Sequence, residues 1–137
     1  MVDRVSLVNT TGTEKALTIT FNNGQSVEYA LNANEHKAFM IGDLLNQPIQ
    51  PDIKSAVITY ASGVIGLELF GSKGASNQLD GILLTGNTAS TLYYPHVASD
   101  GWWTGIVAYN PSASACTITI TPYSAQGWGS SRQGCEL

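Results

Sequence analysis

The residues of this 137-residue chain best suited to chemistry are aromatic rather than ionic. Tyr93, Tyr94, Trp102, Trp103 and Tyr109 fall within 17 positions. Adjacent residues of a strand point to opposite faces. One of Tyr93/Tyr94 and one of Trp102/Trp103 should therefore face inward, leaving the other outside. Outward rings on a flat sheet can stack on sugar faces or anchor a neighbouring protein. They are also the surface that an adjacent domain or loop would cover. Tyr93, Tyr94, Trp102 and Trp103 are the candidate ligand-binding residues, with Tyr94 and Trp103 the first choice as carriers.

The ionic residues offer less. His36 and His96 are the only histidines. Neither stands in a ligand spacing such as His-x-His, and each is expected to hydrogen-bond a backbone group at a strand end. The ten Asp and Glu are spread singly. Glu68, inside an apolar run, could pair with Asp80 as two carboxylates of a glycosidase do. Strand alternation instead sets Glu68 against Leu67 and Leu69, on the outer face. No nucleophile elbow, zinc-protease, P-loop or dinucleotide signature occurs. The expectation is no catalytic residue, no metal, no cofactor and no enzyme. Cys116 reads as a small buried thiol and Cys135 as a free thiol in a Gly/Ser-rich tail, in preference to a bridge.

Composition narrows the class of partner. Charged residues make up 12% of the chain, against about 25% in ordinary soluble proteins. Thr, Ser, Asn and Gly take their place, which suits short strands with hydroxyl-rich outer faces. The net charge is −4, and the six Lys and Arg are scattered singly. No basic stripe could neutralise several phosphates at once, so nucleic acid is not an expected partner. Apolar runs fall far short of the ~20 residues that span a bilayer, so membrane insertion is not expected. Met1-Val2-Asp3-Arg4 leads straight into a strand-like segment, and Met1 reads as an added start without an export signal.

The elements that must hold these residues are strands. Period-two alternation recurs along the chain and sustained 3.6 periodicity does not. Residues 4–9, 16–21, 26–31, 55–61, 64–70, 79–85, 91–98, 102–110 and 116–121 read as strands, and 36–41 as a strand or bend. Val5 and Leu7 share one face of their strand, as do Leu17 and Ile19 opposite Thr18 and Thr20, and Ile65, Leu67 and Leu69; Ile118 and Ile120 should face inward. Asn22-Asn23-Gly24-Gln25 makes 16–31 the clearest hairpin, because Asn and Gly tolerate positive φ. Residues 42–46 could form one helical turn before Pro48 and Pro51. About nine short strands with polar turns predict an all-β antiparallel β-sandwich, Ig-like in general architecture. It should form one domain over 1–127, with a flexible tail at 128–137.

One internal similarity stands out. Val8-Asn9-Thr10-Thr11 precedes Leu17-Thr18-Ile19-Thr20, and Tyr109-Asn110-Pro111-Ser112 precedes Ile118-Thr119-Ile120-Thr121. The spacing is a constant 101 positions (9 to 110, 17 to 118). A period near 100 residues belongs to domain arrays rather than solenoids. The chain would then hold most of one repeat and, from about residue 91, the opening strands of the next. The string from Tyr93 to Pro111 (YYPHVASDGWWTGIVAYNP) is similar to the opening of tandem repeats of about 100 residues in bacterial secreted and cell-surface proteins of uncharacterised function. Asn34–Phe39 and Gly63–Gly71 resemble stretches of the same repeats. The resemblance covers the chain up to Gly127 and departs from it over 128–137. It implies an exported structural or adhesive β-module, whose partners are neighbouring repeats, a glycan or a surface protein. It supplies no catalytic residue. An exposed edge strand would also permit a homodimer.

Overall fold

The computed structural model describes residues 2–47, 52–71, 79–94, 104–123 and 134–136. They belong to two compact units, Met1–Thr91 and Leu92–Leu137.

The first unit contains β1 (Val2–Asn9), β2 (Lys15–Phe21), β3 (Ser26–Leu31), β4 (His36–Met40), α1 (Ile41–Leu45), β5 (Ala56–Thr59), β6 (Val64–Gly71) and β7 (Leu79–Leu83). The strands form two antiparallel sheets, ordered β4-β1-β6-β7 and β3-β2-β5. Register explains why these sequences bury one face. Val5 lies opposite Phe39 and Glu68, and Leu7 opposite Lys37 and Gly66. In the other sheet Leu17 faces Tyr29, and Ile19 faces both Val27 and Ile58. Val5, Leu7 and Phe39 from one sheet meet Leu17, Ile19, Phe21 and Leu31 from the other as a single core. Burying each such side chain contributes about 1.5–3 kcal/mol. This is an all-β sandwich, as the alternation predicts.

One side of the sandwich is closed by β3 and β4. The Tyr29 and Phe39 rings meet at 4.7 Å between centroids, tilted by 56°. Lys37 lays its stem beside them, with Nζ 5.5 Å from the Tyr29 centroid and donating to the Ala30 carbonyl at 3.0 Å. The apolar stem covers the seam while the ammonium stays wet. Burial pushes the Tyr29 hydroxyl pKa up, against the opposing pull of Lys37. The other side is uneven, because β7 has no counterpart in the three-stranded sheet. Ile82, opposite Glu68 and hence on the inner side of β7, stays 48% exposed.

The turn at residues 22–25 joins β2 to β3, with Gly24 at φ 86°. Beside it, Asn22 clamps the link between α1 and β5. Its Oδ1 accepts from the Lys54 and Ser55 amides at 2.7 and 3.1 Å, and its Nδ2 donates to the Asp52 carbonyl at 2.9 Å. The helical turn expected at 42–46 is α1, stopped by Asn46 in the left-handed region at φ 55°.

The second unit contains β8 (Thr117–Thr119) and β9 (Gly134–Glu136), paired antiparallel from Thr117↔Glu136 to Thr119↔Gly134. β9 lies within residues 128–137, the stretch read from sequence as a tail. Several expectations are corrected. Residues 91–94 and 104–110 join no ladder, although alternation marks 91–98 and 102–110 as strands. Alternation records a capacity to pair and does not supply the partner. Ile120 is 44% exposed instead of inward. Cys116 is a free, exposed thiol instead of a buried one.

Glu68 is also corrected. The inner face of β6 carries Val64, Gly66 and Glu68, while Ile65, Leu67 and Leu69 lie opposite Val8, Ser6 and Arg4 on the outer face. Gly66 sits on that inner face, where a Cβ would stand 2.6 Å from Leu84 Cδ1 and 3.0 Å from Leu7 Cδ2, so those side-chain ends come close to the β6 backbone.

Candidate functional site

The most developed polar site lies where the chain crosses between the sheets. β1 ends at Asn9, a residue with no exposed surface. Its Nδ2 donates to the carbonyls of Thr13 at 2.7 Å, Asn32 at 2.8 Å and Leu31 at 3.2 Å. Its Oδ1 accepts from the Thr11 amide at 3.0 Å and the Thr11 hydroxyl at 2.8 Å. A short amide side chain carries both donors and an acceptor, so it can organise a loop that has no ladder of its own. The neighbouring backbone completes the clasp. Asn9 N donates to Glu35 O at 2.9 Å, Asn34 N to Thr11 O at 3.1 Å and Thr10 N to Gly63 O at 2.9 Å. The β1–β2, β3–β4 and β5–β6 crossings are thereby tied together. Asn34 and Gly63 reach it through left-handed backbone, at φ 56° and 77°.

The same loop chemistry recurs at Asn110. Asn110 Nδ2 donates to the Ser114 carbonyl at 2.8 Å, and Asn110 Oδ1 accepts from the Ser112 amide at 3.0 Å. Ser112 Oγ donates to the Ser114 carbonyl at 2.7 Å, as Thr11 Oγ1 does to the Thr13 carbonyl at 3.1 Å. Each of these three bonds repeats at a spacing of 101 positions (9 to 110, 11 to 112, 13 to 114). Residue order alone gave no role to either asparagine. The available signal was Asn-x-Ser/Thr-x-Ser/Thr immediately before a Thr/Ile strand.

Among the candidate ligand-binding residues, Tyr93 is 86% and Tyr94 48% exposed, on a stretch outside any ladder. Both rings offer a face to solvent, instead of one turning inward. Trp102 and Trp103 lie outside the described residues, as does His96.

The ionic candidates are placed as follows. Glu68 pairs in register with Ile82, and Asp80 with Phe70, so the two carboxylates are diagonal neighbours on the inner face of β6 and β7. Such diagonals span roughly 7–8 Å between backbones. Asp80 Oδ1 accepts from the Gly81 amide at 2.7 Å. His36 Nε2 lies 2.8 Å from Ser6 Oγ on the outer face of the larger sheet, so its partner is a hydroxyl and not the expected backbone group. Among the described residues no carboxylate completes that pair, and no three His, Cys, Asp or Glu side chains gather as a metal would need. No described helix is long and apolar enough to cross a membrane. Glu35 accepts the Asn32 amide at 2.7 Å and pairs with Lys37 at 3.2 Å. The Asn32 amide holds the Glu35 carboxyl below the usual range, with Lys37 adding to the effect.

Comparison with known protein families, with curated proteins and with solved structures returns no match.

Proposed function

We propose that the chain is a non-catalytic structural or adhesive module from a repeating array in a larger secreted or cell-surface protein. The observation that carries this reading is the recurrence of three hydrogen bonds, around Asn9 and around Asn110, at one constant spacing. A polar loop rebuilt at a domain-sized interval is what a duplicated β-module leaves behind. The work of such a module is to space or display its neighbours. Its neutral, hydroxyl-rich faces keep it soluble without high charge.

Labelling of intact source cells with an antibody against this chain tests the location. Staining of unbroken cells supports the reading, and staining only after permeabilisation overturns it. The non-catalytic part is tested by a broad hydrolase screen. Turnover that disappears in Glu68→Gln would make the module an enzyme.

A second reading rests on Tyr93 and Tyr94, whose exposed rings suit a sugar face or a small ligand. A glycan array should then give binding that weakens in Tyr93→Ala and Tyr94→Ala, with Trp102→Ala and Trp103→Ala as companions. Binding that survives all four changes refutes this platform.

A further inference from the structure

Among the asparagines of the chain, Asn23 alone is followed by glycine. An asparagine side-chain amide is open to attack by the backbone nitrogen of the next residue. Glycine, which has no Cβ, obstructs that attack least. Asn23 and Gly24 stand exposed in the turn between β2 and β3, and nothing crowds the position where a Gly24 Cβ would be.

In the closed turn both reacting groups are held elsewhere. Gly24 N donates to the Phe21 carbonyl at 2.9 Å. Asn23 Oδ1 accepts from the Gln25 amide at 3.1 Å, and Asn23 Nδ2 donates to Gln25 Oε1 at 3.0 Å and to Asp52 Oδ2 at 2.8 Å. These side chains are exposed, so water competes for their bonds and the turn opens locally. Asp52 carries the turn's tie to the next segment. Its carboxylate takes Asn23, its carbonyl takes Asn22 Nδ2 at 2.9 Å, and Asn22 in turn receives the Lys54 and Ser55 amides that lead into β5.

We propose that Asn23 is a site of spontaneous deamidation, whose product holds the turn away from Asp52. In the open turn Gly24 N attacks Asn23 Cγ. The new C–N bond closes a succinimide ring, the Cγ–Nδ2 bond breaks, and the amide nitrogen leaves with the displaced proton as ammonia. Water then opens the ring at either carbonyl, leaving aspartate or isoaspartate at position 23, and no electrons are exchanged with any other reagent. A carboxylate there has no hydrogen to donate, so the pair with Asp52 becomes two like charges at close quarters. An opening that reacts is thereby made permanent, and the link into β5 loosens as the protein ages.

Peptide mapping of the full chain after storage in mildly alkaline buffer tests the modification. Position 23 should lose its amide before Asn32, Asn34, Asn46 and Asn87 do, giving aspartate and isoaspartate. Unfolding in urea should speed the loss at least about fivefold, because the turn is then always open. Asn23→Asp tests the consequence without storage. Hydrogen exchange at the Lys54 and Ser55 amides should quicken at least about threefold in that variant. Adding Asp52→Asn to it supplies a donor from the other side and should restore the wild-type rate. Another asparagine reacting first, or a folded chain that reacts as fast as the unfolded one, overturns the site. Unchanged exchange at Lys54 and Ser55 in Asn23→Asp, or exchange that stays fast once Asp52→Asn is added, overturns the link to β5.

Discussion

The loops at Asn9 and Asn110 share three side-chain hydrogen bonds and differ in their surroundings. Asn9 is sealed beneath the crossings from β3 to β4 and from β5 to β6. Asn110 is half-buried, and its described bonds are local to residues 110–114. The strands that follow show the same contrast. Leu17 and Ile19 are 0% and 2% exposed, while Ile120 is 44% exposed. A short polar loop can therefore form from its own residues, but its energetic weight comes from what closes over it.

The sharpest way to break this comparison is through the following strand. Leu17→Ala should cost about 2–5 kcal/mol in urea unfolding, since it empties a fully buried position. Ile118→Ala, at the aligned position, should cost less than about 1 kcal/mol. Equal costs would mean that the second unit has a core of its own. Next comes the asparagine itself. Asn9→Ala strands the buried carbonyl of Leu31 and the partly buried one of Asn32 and should cost about 1–3 kcal/mol, whereas Asn110→Ala should cost about 0.5 kcal/mol or less.

A smaller effect separates the residues that follow. Thr10 donates its amide and its hydroxyl to the Gly63 carbonyl, at 2.9 and 2.8 Å. Its aligned position holds Pro111, which has no amide hydrogen to give. Thr10→Pro should therefore lower stability by about 1 kcal/mol while the rest of the loop persists.

The next effect depends on pH. The Glu35 pKa is depressed in the folded chain. Its contribution is present above the unfolded carboxylate pKa and fades as the pH falls through the folded value. Unfolding midpoints measured through the acid range should drop for the wild type and drop less for Glu35→Gln. The smallest effect has the opposite sign. Gly12 has open space where a Cβ would go, and its aligned position is Ala113. Gly12→Ala should be neutral or add about 0.4–1 kcal/mol.

Seven strands of the sandwich were legible from alternation, and so were the hairpin over 16–31, the helical turn and the sharing of one face by Val5 and Leu7 and by Leu17 and Ile19. Those segments carry their own instructions in residue order, with turns at Asn and Gly where positive φ is needed. The face of β6 was not legible, because Val-Ile-Gly-Leu-Glu-Leu-Phe is apolar on both sides and a period of two is blind to which side is in. The aromatic stretch failed differently. Tyr93 and Tyr94 were expected to split between faces, yet without a ladder there is no sheet to have faces.

By itself, the order of residues determined the extended segments of the sandwich and the turns between them, because each depends on neighbours a few positions away. Only the tertiary structure decided which strand lies beside which, which face of β6 meets the core and which of the two loops is sealed. Those outcomes depend on groups tens of residues distant, and no local periodicity reports where a distant strand will lie.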